Sequence, residues 1–177
     1  MRSVPTVLHR DSRGAYNLRG QTLPHVGKNT VDEDEVYAAF VRAGADGDVF
    51  AQGAPGARVL LKVTPIRLYV LADGEPAGKS ISGVFGDAIR AGKIKHSLST
   101  LVDLTIFTGS VDWDHIVAVS KMAAWGKDGA TNVAYVVRDN LFHNLIKIAA
   151  TMFPDTRHQS FLDRGEAEAW LAASDGA

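Results

Sequence analysis

The chain contains no cysteine. Disulfides, thiolate metal sites and a cysteine nucleophile are therefore excluded, and the fold must rest on burial alone. Charge imbalance is also absent, since 19 Lys and Arg stand against 20 Asp and Glu for a formal net charge of -1. Nucleic-acid binding draws on a concentrated positive field and is not expected. No apolar run approaches the roughly 20 residues needed to span a bilayer, so no membrane span is expected either. There is no Gly-x-Ser-x-Gly elbow, no histidine pair at i, i+4 spacing and no internal repeat. The six histidines, His9, His25, His96, His115, His143 and His158, read as locally hydrogen-bonded or solvent-facing groups, with no metal among them. What is present suits one cytoplasmic domain with some decoration: 177 residues, 46% of them hydrophobic. A chain of this size buries roughly 70% of its unfolded surface, enough for a core without staples.

Organisation changes along the chain. Residues 1–30 carry Arg2, Arg10, Arg13, Arg19 and Lys28 against Asp11, with glycine and proline breaking any periodicity. They read as a flexible or peripheral extension. Asp32 then caps a short helix near residues 33–43, with Val36, Tyr37, Phe40 and Val41 as its apolar stripe and Gly44 at its end. "GADGDVFAQGAPGA" reads as a Gly/Ala-rich linker, so residues 1–56 form an N-terminal extension and residues 57–177 the domain. Within that domain five β-prone runs follow: "RVLLKV", "IRLYVLA", "STLVDLTIF", "NVAYVVRD" and "RHQSF". Helical patterns separate the last four, over Ile81–Ala91, from Asp112 to Gly126 and from Asp139 to Pro154, and Asp163 with Glu166 opens a closing helix. Alternation of this kind predicts an α/β sandwich with a mixed, mostly parallel five-stranded sheet and about four helices. Trp113, Trp125 and Trp170, with Met122 and Met152, read as core or helix-packing groups.

The stretch "LADGEPAGKSISGVF" raises the question of a phosphate-binding loop. A P-loop needs four residues between its first glycine and the Gly-Lys-Ser, because successive amides must wrap the phosphates. Gly74 and Gly78 enclose only Glu75, Pro76 and Ala77. Pro76 removes one donor, and Glu75 adds a negative charge. The plainer reading is that Asp73-Gly74 turns the chain and Ser80 caps the next helix. A degenerate nucleotide site at Gly78, Lys79 and Ser80 is the alternative.

Three features in order carry a family resemblance: "LVDLTIFTGSVDWDHIVAVSKMAAW", "VAYVVRDNLFHNLIKIAATMF" and "FLDRGEAEAWL". Over residues 57–173 the chain resembles the SpoIIAA-like proteins of the STAS superfamily. The resemblance implies an α/β sandwich with a mixed sheet, no established enzymatic chemistry, and a role as a regulatory or ligand-binding module. It also implies structural similarity to the lipid-carrying CRAL-TRIO domains. In anti-sigma-factor antagonists of that superfamily, a serine of an Asp-Ser-Ser-Gly motif is phosphorylated at the helix start after the third of these strands. Here the equivalent loop reads Phe107-Thr108-Gly109-Ser110-Val111-Asp112, so the motif is missing. Thr108 and Ser110 remain hydroxyls near a helix start, beside Asp112 and Asp114, which would repel an added phosphate.

Ligands of parallel α/β sheets bind beyond the carboxyl ends of the strands. The loops Phe107 to Asp112 and Arg138 to Asn144 fall at two such ends, which makes Thr108, Ser110, Arg138, Asn140 and His143 the candidate ligand site. The simpler alternative has Asp112 and Asp139 as helix caps and Arg138 in a surface ion pair. No nucleophile–base pair is recognisable, so neither an enzyme nor a cofactor is expected. The expectation is a non-enzymatic regulatory or binding module. Its partner would be another protein, a second copy of the chain as a homodimer, or a small lipid-like or anionic ligand. The alternative is a phosphate-responsive protein, switched at Thr108 or Ser110 or holding a nucleotide at Lys79 and Ser80.

Overall fold

The computed structural model describes residues 32–44, 46–110, 114, 117, 121–122, 131–139, 143–144, 146–147, 150–151, 153 and 155–175. The chain divides into two units, Met1–Thr30 and Val31–Ala177, and every element named here belongs to the second. In chain order these are α1 (Glu33–Arg42), β1 (Asp48–Ala54), β2 (Ala57–Val63), β3 (Arg67–Gly74), α2 (Gly78–Arg90), β4 (Ser99–Asp103), β5 (Thr131–Val136), β6 (Thr156–Phe161) and α3 (Arg164–Asp175). Helical residues also occur at Asp114, Val117, Lys121 and Met122, and at His143, Asn144, Ile146, Lys147, Ala150 and Thr151.

The strands form one six-stranded sheet in the order β1-β2-β3-β4-β5-β6. β1, β2 and β3 pair antiparallel, and β3 to β6 pair parallel. The sixth strand, β1, arises where a linker is expected from the sequence. Its exposed pattern and low apolar content hide it, because an edge strand needs only one covered face. Phe50 packs against the α2 cluster, and Gln52 Nε2 donates to Asp87 Oδ2 at 2.7 Å. That hydrogen bond is the main reason the Asp87 carboxyl titrates below its usual range. Pro55 and Gly56 close the β1–β2 hairpin between Ala54 and Ala57, with Gly56 at φ +78°, as a type II turn requires at its third position.

Alternation along β3 distributes the core. Leu68 and Val70 join Val59, Leu61, Val84, Phe85 and Ala88 beneath α2, whereas Tyr69 and Leu71 face Phe40 of α1 and Ala167 and Leu171 of α3. Each leucine sealed this way contributes about 1.5–3 kcal/mol. Met122 packs with the α2 cluster, and Ile146 with Val133, Tyr135 and Val137. Val102 joins both groups, so the described crossover residues share one face while α1 and α3 cover the other. All six positions of β5 are buried, which explains its nearly continuous apolar run.

Local details correct several expectations. Asp32 does cap α1, its Oδ1 accepting from the amides of Asp34 at 3.0 Å and Glu35 at 3.4 Å. Phe40 is fully buried, but Val41 is 65% exposed and lies off the apolar stripe. Helix α2 begins at Gly78 with Ala77 at its cap, so Ser80 is a buried residue of the first turn rather than a cap. Ile89 of α2 is exposed. The third expected strand stops at Asp103, because its carboxylate Oδ1 accepts from the Thr105 amide at 3.1 Å and hydroxyl at 2.6 Å and turns the chain. Buried Lys62 donates from Nζ to Val41 O at 2.7 Å, placing a cation at the negative end of α1.

Two predictions follow from this packing. A Cβ at Gly74 would lie 1.7 Å from Gly56 O, and Gly74 sits at φ +64°. Gly74→Ala should cost about 3 kcal/mol or more in urea unfolding. Gly56→Ala, at φ +78° with nothing within 4 Å of its Cβ, should cost only about 1–2 kcal/mol; equal losses would refute the close approach. The second concerns His158, whose ring stacks on Tyr135 and accepts or donates at Nδ1 to the Tyr135 hydroxyl at 2.9 Å. Burial raises the Tyr135 phenol and lowers His158 to about 4 from 6.5. The unfolded chain takes up this proton more readily, so the contribution is complete above about pH 6.5 and is lost as pH falls toward 4. His158→Gln should show a smaller stability loss than wild type between pH 7 and 4.5, by about 1–2 kcal/mol after solvent screening. Parallel pH profiles would exclude His158 as the cause.

Candidate functional site

The carboxyl ends of β3, β4, β5 and β6 lie along one side of the sheet. The loop after β4 folds back toward β3. Gly74 N donates to Ile106 O at 3.0 Å, Thr108 N donates to Gly74 O at 2.7 Å, and Phe107 bridges Gly74 in parallel. Phe107 is buried by this return, and Gly109 packs closely against its ring, since a Cβ there would come 2.9 Å from Phe107 Cε2. The tight loop leaves Thr108 and Ser110 exposed on either side of Gly109.

Arg138, exposed just after β5, reaches this loop through a long hydrogen bond from Nη2 to Phe107 O at 3.5 Å. Among the described residues no carboxylate pairs with its guanidinium. That bond joins Arg138 to the loop that carries Thr108 and Ser110. His143 goes elsewhere: its Nδ1 hydrogen-bonds Ser160 Oγ on β6. Asn140 lies outside the described residues, as do Val111, Asp112, Trp113, His115, Trp125 and Met152.

A cavity of about 380 Å³ opens at the β6 end, lined by Val137, His143, Gln159, Ser160, Phe161, Leu162 and Glu166. Tyr135 pairs with Ser160 in the sheet, so Ser160 lies on the crossover face under His143. On the other face Phe161 packs on Trp170 with ring centroids 5.8 Å apart. Ser160 and Glu166 are absent from the site read in the sequence. Only the parallel register of β6 beside β5 brings Ser160 beneath the first residues of the crossover.

Two polar clusters brace these loops. At the end of β3, Asp73 Oδ2 accepts from Gly56 N at 2.8 Å, from Arg58 Nε at 3.2 Å and from the Tyr37 hydroxyl. Arg58 also lies over the Tyr37 ring, 4.7 Å from its centroid. Burial first, and the Asp73 hydrogen bond second, raise the Tyr37 phenol above its ordinary value. At the end of β4, Arg164 Nη1 donates to buried Asp103 Oδ2 at 3.1 Å, and its Nε donates to Glu168 Oε1 at 2.9 Å. The same helix is capped by Asp163 Oδ1, which accepts from Glu166 N at 2.9 Å.

The Gly78–Ser80 segment forms the first turn of α2, with Lys79 exposed and Ser80 buried. The Glu75 side chain runs toward Gly109 of the neighbouring loop, whose Cβ would lie 3.2 Å from Glu75 Cγ. Among the described residues no group of three His, Asp or Glu is placed to hold a metal ion, and no helix is long and apolar enough to cross a membrane.

No protein-family model matches the chain, and no curated protein matches it. Among solved structures it is similar to an uncharacterized protein from the DUF3478 family with a SpoIIAA-like fold from Shewanella loihica PV-4. The identity is 17%, over 71% of this chain and 93% of that one, with a TM-score of 0.48.

Proposed function

We propose that this chain is a non-enzymatic binding module of the regulatory, SpoIIAA-like type, and that its recognition face is the loop Phe107–Ser110 together with Arg138. The observation that carries this reading is the Arg138 guanidinium. It is exposed, reaches across from β5 to Phe107 O, and has no carboxylate partner among the described residues. A cation held beside two exposed hydroxyls, Thr108 and Ser110, suits a small anionic ligand or the anionic head of a lipid-like one. His143 belongs to a neighbouring cavity rather than to this face. Binding of a small anion there would alter a loop that is hydrogen-bonded to β3, which gives a regulatory module its output.

The same two hydroxyls are accessible to a kinase, so a covalent phosphate at Thr108 or Ser110 is the second reading. Native and denaturing mass spectra of the freshly purified protein separate the two. A noncovalent added mass that disappears on denaturation is the expected result, and Arg138→Ala should reduce its occupancy about tenfold or more, the effect of one charge-assisted hydrogen bond. A phosphate that survives denaturation favours the switch. Undiminished ligand occupancy in Arg138→Ala rules out this recognition face.

A further inference from the structure

We propose that Ser160 is an acyl acceptor, with His143 as its base. The inference goes beyond the binding reading, since it concerns a different cavity and a covalent event. Three observations carry it. Ser160 Oγ and His143 Nδ1 are hydrogen-bonded although the residues stand on different elements, a β-strand edge and the crossover that precedes it. The pair lines a cavity of about 380 Å³, within the range that holds small ligands. The cavity's other walls are mixed: Val137, Phe161 and Leu162 are apolar, and Gln159 and Glu166 are polar.

A serine hydroxyl is a weak nucleophile until a neighbouring base accepts its proton. With the imidazole proton on Nε2, the lone pair of Nδ1 faces Ser160 Oγ. The substrate class that fits is a small activated ester, whose acyl group is short enough to rest against Val137, on the same face of the sheet as Ser160. Ser160 Oγ forms a bond to the carbonyl carbon, and its proton passes to His143 Nδ1. The carbonyl carbon–oxygen bond to the leaving group then breaks, and the same proton passes to the departing oxygen. The product is one ester on Ser160 and one free alcohol or phenol, with no redox partner required. One equivalent per chain is a stoichiometric modification, which a binding module can carry without turnover. Nothing in this step involves Arg138, so the acylation and the anion-binding reading stand or fall separately.

The test is incubation of the full chain with para-nitrophenyl acetate, followed by peptide mapping and a time course of labelling. The expected result is one acetyl group on Ser160, none at that position in Ser160→Ala, and a rate in His143→Asn lower by about 100-fold. Ser82→Ala, whose hydroxyl only back-bonds to Lys79 O on α2, should label Ser160 at the wild-type rate. Circular dichroism of each variant separates a lost base from a lost fold. Acetyl groups confined to lysines in the wild-type protein would overturn the proposal without recourse to any variant. So would labelling of Ser160 at an unchanged rate in a folded His143→Asn.

Discussion

Asp73 and Gly74, the last two residues of β3, tie α1, β2, the hairpin turn and the loop after β4 to one strand end. The Asp73 carboxylate gathers Tyr37 of α1, Arg58 of β2 and the amide of Gly56 in the hairpin turn. The Gly74 backbone gathers the loop after β4 through Ile106 and Thr108. These bonds are compatible only because Gly74 lacks a side chain, which lets the Gly56 carbonyl approach to a distance no other residue permits. A buried carboxylate is costly unless it is fully hydrogen-bonded, and here three donors meet one oxygen. The position of α1 and the shape of the Thr108–Ser110 loop are therefore consequences of one strand end.

Sheet order sets which loops are neighbours at the carboxyl ends of the strands. In doubly wound sheets the strand order reverses, and the crevice opens where helices diverge to opposite faces. Here the strands run in sequence from β1 to β6, and the described crossover residues stay on one face. Arg138 meets the β4 loop at the surface, and among the described residues a cavity opens at the β6 edge, where α3 begins. The buried Asp103–Arg164 bridge fixes the start of α3 against β4 and so defines one wall of that volume.

Much of this was legible before any coordinates, for reasons that differ by element. β5 was evident because both its faces are covered, which forces an unbroken apolar run. The start of α1 was evident because Asp32 caps it in the expected way. β1 was not, since an edge strand with one covered face carries little apolar pattern, although the Pro55-Gly56 turn was a usable signal. Ser80 resembled a cap only because Ala77, with no side-chain hydrogen bond to offer, makes an inconspicuous one. Arg138 could be placed from strand order alone, as a cation just past a parallel strand. The Ser160–His143 pair could not: the two lie 17 positions apart, and their meeting depends on the register between β5 and β6.

Hydrogen–deuterium exchange of Asp73→Asn against wild type tests the central claim most directly. If Asp73 is the junction, amides of α1, of the turn around Gly56 and of the Ile106–Thr108 loop exchange faster, while β5 keeps its protection. Unchanged exchange in α1, or an equal rise across all six strands, would contradict it.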